Sequence, residues 1–251
     1  MFSQRLFSQL SYKPFGPCLG AVACLMFPIS ANAMHIMEGF LPPIWALSWW
    51  VLFLPFLILS IRKLKHLVAN DSDKKVLLAL CGAFIFVLSA LKLPAVTGSC
   101  SHPTGVGLAV VLFGFMVVPL LGGIVLLFQA LLLAHGGLST LGANGMSMAV
   151  IGPLVGYALW VTANRLNLRK DIAVFLCAAG ADLATYLVTS VQLGLAFPDP
   201  QLGMVASVSK FMGVFMLTQV PIAIAEGLLT VLIYEQLSKR ALLGKTQGVL
   251  R

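Results

Sequence analysis

The sequence predicts an all-α integral membrane protein, a bundle of about seven transmembrane helices whose mature amino terminus is extracytoplasmic. Composition is the first reason. Of 251 residues 59% are hydrophobic and 10% charged, whereas a soluble domain carries about a quarter charged residues. The second is a series of apolar runs long enough to cross hydrocarbon, each bounded by charge or by Gly/Pro. The third is the placement of Lys and Arg, which fall in short clusters between those runs. The net charge of +8 therefore reads as a topology signal, and no broad basic face for nucleic acid is built.

Residues 1–33 have the form of a secretory signal: Arg5 and Lys13 at the start, an apolar centre from Cys18 to Ile29, and small residues at Ala31 and Ala33. The apolar centre is too short to span, and Pro14, Pro17 and Pro28 each remove a backbone donor that a membrane helix needs. Cleavage after Ala33 is expected, leaving a single transmembrane domain over residues 34–251.

A helix rising 1.5 Å per residue needs about 20 apolar residues to cross. Runs of that kind lie at about 44–61, 75–93, 105–119, 120–135, 147–164, 172–195 and 208–236, with ends uncertain by several residues. The third and fourth are short and divided only by Pro119 and Gly122-Gly123, so one kinked or re-entrant element is the alternative. Seven spans with the amino terminus outside put the clusters at Arg62 to Lys75, Arg165 to Lys170 and Lys239 to Arg251 on the cytoplasmic side. Only Lys92 and Lys210 remain near outer ends. Six spans would expose an early or a late cluster on the wrong side.

The cleavage site matters chemically because it would make Met34 the first residue, next to His35. The α-amine of Met34, the peptide nitrogen of His35 and its near ring nitrogen close fused chelate rings around one ion. A fourth nitrogen completes a plane suited to Ni(II) or Cu(II), and less decisively to Co(II). His102, between Ser101 and Pro103 in an outer loop, is the natural donor, although a lone loop histidine is ordinarily a surface residue. His135, Asn144, Ser139 and Glu38 are expected around the ion as hydrogen-bonding or loop-positioning residues. His66 lies on the inner side and reads as interfacial. Cys100 and Met37 are near enough to be considered as sulfur ligands and are not adopted.

Asp182 and Glu226 fall within predicted spans, where an ionised carboxylate facing lipid would cost about 2.5–3.5 kcal/mol or more. They face protein or a cavity. A cation path and an interhelical hydrogen bond to a neighbour such as Tyr186, Gln192, Gln129 or Gln219 both remain open. Gly152 and Gly156 at four-residue spacing permit a close helix approach, within the chain or to a partner. No GxxxxGK[ST] loop occurs, so nucleotide hydrolysis by that route is excluded, and no HExxH signature supports a membrane metalloenzyme.

Four stretches together carry a resemblance: Met34-His35-Ile36-Met37-Glu38-Gly39-Phe40-Leu41-Pro42, Ser99-Cys100-Ser101-His102-Pro103-Thr104-Gly105, residues 134–144 (AHGGLSTLGAN) and residues 220–228 (VPIAIAEGL). In this order they resemble the substrate-capturing membrane subunit of energy-coupling-factor importers for cobalt and nickel, the CbiM/NikM family, over about residues 34–240. The resemblance implies an amino terminus tucked into the bundle, with Met34, His35 and His102 as metal ligands. It implies a transmembrane coupling subunit, cytoplasmic ATPase subunits and a small two-span membrane protein as partners, and the bacterial inner membrane as the location. The implied role is capture of Co(II) for ATP-driven import, feeding cobalamin synthesis. Ni(II) is the alternative and a stand-alone carboxylate-dependent cation carrier a second one. The ion is cargo, no resident cofactor is expected, and the chain is no enzyme. Many relatives begin directly at the Met-His pair, so here the free amine depends on processing.

Overall fold

A computed structural model of the chain describes residues 32–33, 35–69, 72–91, 93–94 and 99–239. The expected signal, Met34 and the last basic cluster beyond Lys239 lie outside the described residues, as do the side chains of Lys92 and Cys100.

The described chain is nearly all helical. Its helices are α1 (Pro43–Val68), α2 (Ser72–Ala90), α3 (Val106–Phe113), α4 (Val118–Leu132), α5 (Leu141–Arg165), α6 (Lys170–Ala196) and α7 (Gly203–Lys239). Five segments, α1, Phe115–Leu132, α5, α6 and α7, are long and apolar enough to cross a membrane. Three short strands, β1 (Asn32–Ala33), β2 (Leu93–Pro94) and β3 (Ser99–Ser101), are the departure from an all-α fold. β3 lies between β1, to which it runs parallel, and β2, to which it runs antiparallel.

Helix ends differ from the apolar runs for local reasons. Pro43 starts α1 at a first-turn position, where a missing N–H costs nothing. The helix then continues through Arg62, Lys63 and Lys65, because long basic side chains can lie along a helix and reach polar surroundings from inside an apolar layer. α2 is 19 residues long but begins on Asp73-Lys74-Lys75, so its apolar part is shorter than a full span.

The largest difference concerns residues 105–119. The helix there covers only Val106–Phe113, eight residues or about 12 Å, and the chain breaks at Gly114 before a 3-10 turn at Phe115–Val117 leads into α4. The break expected at Pro119 is absent, because proline in the first turn of α4 interrupts no hydrogen bond. All eight residues of α3 are buried. Its first turn meets α2 at Phe84 and Ile85 and α6 at Ala178.

Neighbouring contacts fix the helix directions. α5 and α6 are antiparallel, with Gly152 against Ala181 and Thr185 and Gly156 against Cys177. The small-residue pair is thus used inside the chain. α6 and α7 are also antiparallel, joined at Gly194 to Val208, at Asp182 to Gln219 and at Phe175 to Gly227. In α1, Trp50 donates to Leu138 O and Ser60 to Val117 O, so α4 runs opposite to α1.

Within α5, residues Gly145–Ile151 form a π-helical stretch. Pro153 follows it and has no N–H for the carbonyl of Ala149, which favours a wider turn. That widening leaves Ala143 O to accept from Gln192 Nε2 at 2.9 Å. It also presents Asn144 and Met148 toward the amino-terminal segment.

Candidate metal centre

Residues 35–42 form an irregular strap bound to the turn after α4. Asn144 grips the Ile36 peptide at both ends, accepting from Ile36 N at 2.9 Å and donating to Ile36 O at 3.1 Å. Thr140 Oγ1 donates to the same carbonyl at 2.5 Å. Ile36 and Leu41 are buried among Ala46, Ala143, Tyr186, Leu193 and Phe215. Further out, Ser139 N donates to Glu38 Oε2 at 3.1 Å, Gly39 N to Ser139 Oγ at 3.3 Å and Glu38 N to Gly136 O at 3.3 Å. A Cβ on Gly137 would sit 2.5 Å from Glu38 Cα, so this approach admits only glycine.

The Ser139 side chain and then its backbone N–H hold the Glu38 carboxyl below its ordinary range. Because the folded value is the lower one, this brace is fully present at neutral pH and is lost as pH falls through that depressed value. Protection factors of the residue 36–40 amides, which remove the intrinsic pH dependence of exchange, should therefore stay constant from pH 8 to pH 5 and fall only in stronger acid. Glu38→Gln should exchange faster than wild type at neutral pH; equal rates would remove Glu38 from the brace.

The second segment is 101–105. His102 N donates to Tyr186 Oη at 2.9 Å, and His102 O accepts from Tyr186 Oη at 2.8 Å and Gln219 Nε2 at 3.2 Å. Gln219 Nε2 also donates to Asp182 Oδ2 at 2.5 Å. Two residues on, the buried Glu226 carboxylate accepts from Thr104 N at 2.6 Å, Thr104 Oγ1 at 3.0 Å and Gly105 N at 2.8 Å. Gly105 has φ +72°, and a Cβ there would meet the Ile85 backbone at 2.9 Å, which excludes other residues. Glu226 is thus spent on the peptide N–H groups where α3 begins, whereas Asp182 meets Gln219, one of the expected pairings, through Oδ2 alone and keeps Oδ1 buried.

These two segments and the turn after α4 bring together His35, His102 and His135, one ring nitrogen from each lying within 4.8 Å of the others. All three are at most 3% exposed. His35 and His102 stack with centroids 4.6 Å apart and an interplanar angle of 28°, and His135 stands at 88° to His35. His102 Nδ1 is 3.0 Å from Pro103 O, a carbonyl that can only accept, so this nitrogen is the donor. His35 Nε2 lies 3.4 Å from the thioether of Met148. His35 Nδ1 and His102 Nε2 approach each other to 3.2 Å, within hydrogen-bonding distance. Two nitrogens about 2.0 Å from one ion and at right angles around it are roughly 2.8 Å apart, close to the separation found.

Asn144 and Ser139 hold the His35 segment, the loop-positioning role expected of them. His135 lies beyond the end of α4, its N–H donating to Gln129 O at 3.1 Å, so it sits on a turn and not on the last helical residue. Met148 was invisible as a site residue, because a methionine in an apolar run reads as core. The π-helical stretch that aims it has no pattern of its own beyond Pro153. His66 is exposed near the end of α1, and Met37 is exposed.

A family description for the cobalt uptake substrate-specific transmembrane region, CbiM, matches residues 35–242. The chain belongs to the CbiM family. It is 68% identical over 236 residues to the cobalt transport protein CbiM of Salmonella typhimurium, covering 94% of this chain and 96% of that one. With the CbiM of Listeria seeligeri it shares 66% over 212 residues, 84% and 87% of the two chains. A solved structure described as a transition metal transporter superposes with a TM-score of 0.71 at 25% identity, covering 82% of this chain and 92% of the other. The chain is the substrate-specific membrane component of cobalt uptake, and the strap, the braced 101–105 segment and the three histidines all fall within the matched region.

Proposed function

We propose that this protein captures Co(II) from the extracytoplasmic side in a plane of four nitrogens: the amine of Met34, the peptide nitrogen and Nδ1 of His35, and Nε2 of His102. Nickel is the second cargo of the same site. The observation that carries this reading is the convergence of His35 Nδ1 and His102 Nε2 at 3.2 Å inside a buried cluster of three histidines. The amine becomes available when residues 1–33 are removed. Seven crossings of the bacterial inner membrane follow if the third consists of residues 102–105 and α3 together. In support, α3 starts beside Phe84 and Ile85, in the outer third of α2, and the chain reaches the Ser60 level of α1 by Val117. Non-helical backbone at such depth is tolerated when protein side chains satisfy it, as Tyr186, Gln219 and Glu226 do. ATP-driven import then requires a transmembrane coupling subunit and cytoplasmic ATPase subunits, with a small two-span protein as accessory, because this chain has no nucleotide-binding loop.

The deciding experiment is mass spectrometry of the terminus of protein purified from membranes, followed by cobalt analysis of that protein and of a sample acetylated at residue 34. The reading expects Met34 as first residue and cobalt held by the free-amine form alone. Equal cobalt content after acetylation, or in a chain retaining its leader, would overturn the four-nitrogen plane.

A further inference from the structure

We infer that His135 gives the bound cobalt an axial nitrogen and thereby favours Co(II) over Ni(II). This rests on the planar site proposed above and assigns a role that the plane itself does not need. The amine, peptide nitrogen and two imidazoles fill one plane and leave the positions above and below it. His135 is the third ring of the buried cluster, 1% exposed, and its plane is turned across the other two, as an axial imidazole's must be across the plane it caps. It stands at 88° to His35 and 64° to His102, while those two are only 28° apart. Its ring nitrogen is within 4.8 Å of theirs. Donors at right angles on one ion are roughly 3 Å apart, so coordination needs a closing movement of at most an ångström or two. The turn supplying it is not a regular helix: Ala134 has φ 47° and Gly136 φ 77°. Its base is held by the His135 N–H to Gln129 O and by Gln129 Nε2 to Ser89 Oγ at 2.7 Å.

The electron count gives the selectivity. Square-planar Ni(II) is d8 with a filled orbital along the axis and repels an axial donor, whereas low-spin Co(II) is d7 with one electron there and accepts it. Without His135 the plane suits nickel; with it the site gains a contact that only cobalt uses.

Low-spin Co(II) reports this contact directly, because its unpaired electron lies on the axis and couples to an axial nitrogen. Electron paramagnetic resonance of cobalt-loaded, membrane-purified protein should show a nitrogen triplet on the cobalt lines. His135→Phe, which keeps a ring in place, should lose the triplet and about tenfold or more in Co(II) affinity, with less than about threefold change for Ni(II), ligand-shell losses commonly being 10–100-fold. A wild-type spectrum without axial nitrogen overturns the inference even if the variant does not fold. So does a triplet that survives in His135→Phe, or equal losses for both metals. If instead wild type binds no cobalt, or His102→Ala binds it as well as wild type, the planar site itself fails.

Discussion

His102→Ala should lose bound cobalt, with affinity lower by about a hundredfold or more, since removing an outer partner of a ligand already costs 10–100-fold. The substitution deletes the nitrogen facing His35 Nδ1 and leaves the backbone intact. The peptide N–H and carbonyl that Tyr186 and Gln219 hold are still present, so the segment keeps its position. Titration calorimetry with Co(II), alongside thermal unfolding of the metal-free protein, separates the two effects. The expected pattern is a lost heat of binding with an unfolding midpoint close to wild type. Unchanged cobalt affinity would mean that the ion sits elsewhere.

Glu226→Leu should reverse that order, unfolding the protein first and harming metal binding in consequence. Its carboxylate is the acceptor for the buried N–H groups of Thr104 and Gly105. A leucine leaves both donors without a partner, at about 1–3 kcal/mol each, so the loss is about 2–6 kcal/mol. Glu226→Gln keeps one carbonyl oxygen but turns an NH2 group toward a donor, and should lie between wild type and leucine. Unfolding in detergent, followed by loss of helical circular dichroism, gives the ranking. A leucine variant as stable as wild type would show that the start of α3 finds its acceptors elsewhere.

The membrane class, the approximate position of most helices and the pairing of His35 with His102 could be read from the chain, because each depends on residue type and spacing. Apolar runs mark α1, α5, α6 and α7, and His35 and His102 stand out as candidate nitrogen donors by residue type. The 105–119 run misled for a physical reason: a fully buried short helix is as apolar as a spanning one, and hydropathy does not register that its preceding residues are non-helical. Asp182 and Glu226 were recognisable as residues needing protein partners. That Glu226 would choose backbone N–H groups 122 residues away depends on tertiary packing alone. Met148 escaped because it sits on a π-helical stretch, and although His135 was expected near the ion, its place on a turn with a left-handed neighbour could not be read either; neither geometry has a residue code.

Residues 101–105 have one further property. Each side-chain brace on the segment meets a particular atom: Thr218 the Ser101 hydroxyl, Tyr186 and Gln219 the His102 peptide, Glu226 the next two N–H groups. Adding or deleting one residue there would shift every partner by a position at once, so the length of this segment is fixed even where its side chains could change. The lipid-side face of α1, where Ile44, Leu47 and Val51 are exposed, meets no such register and can vary freely among apolar residues.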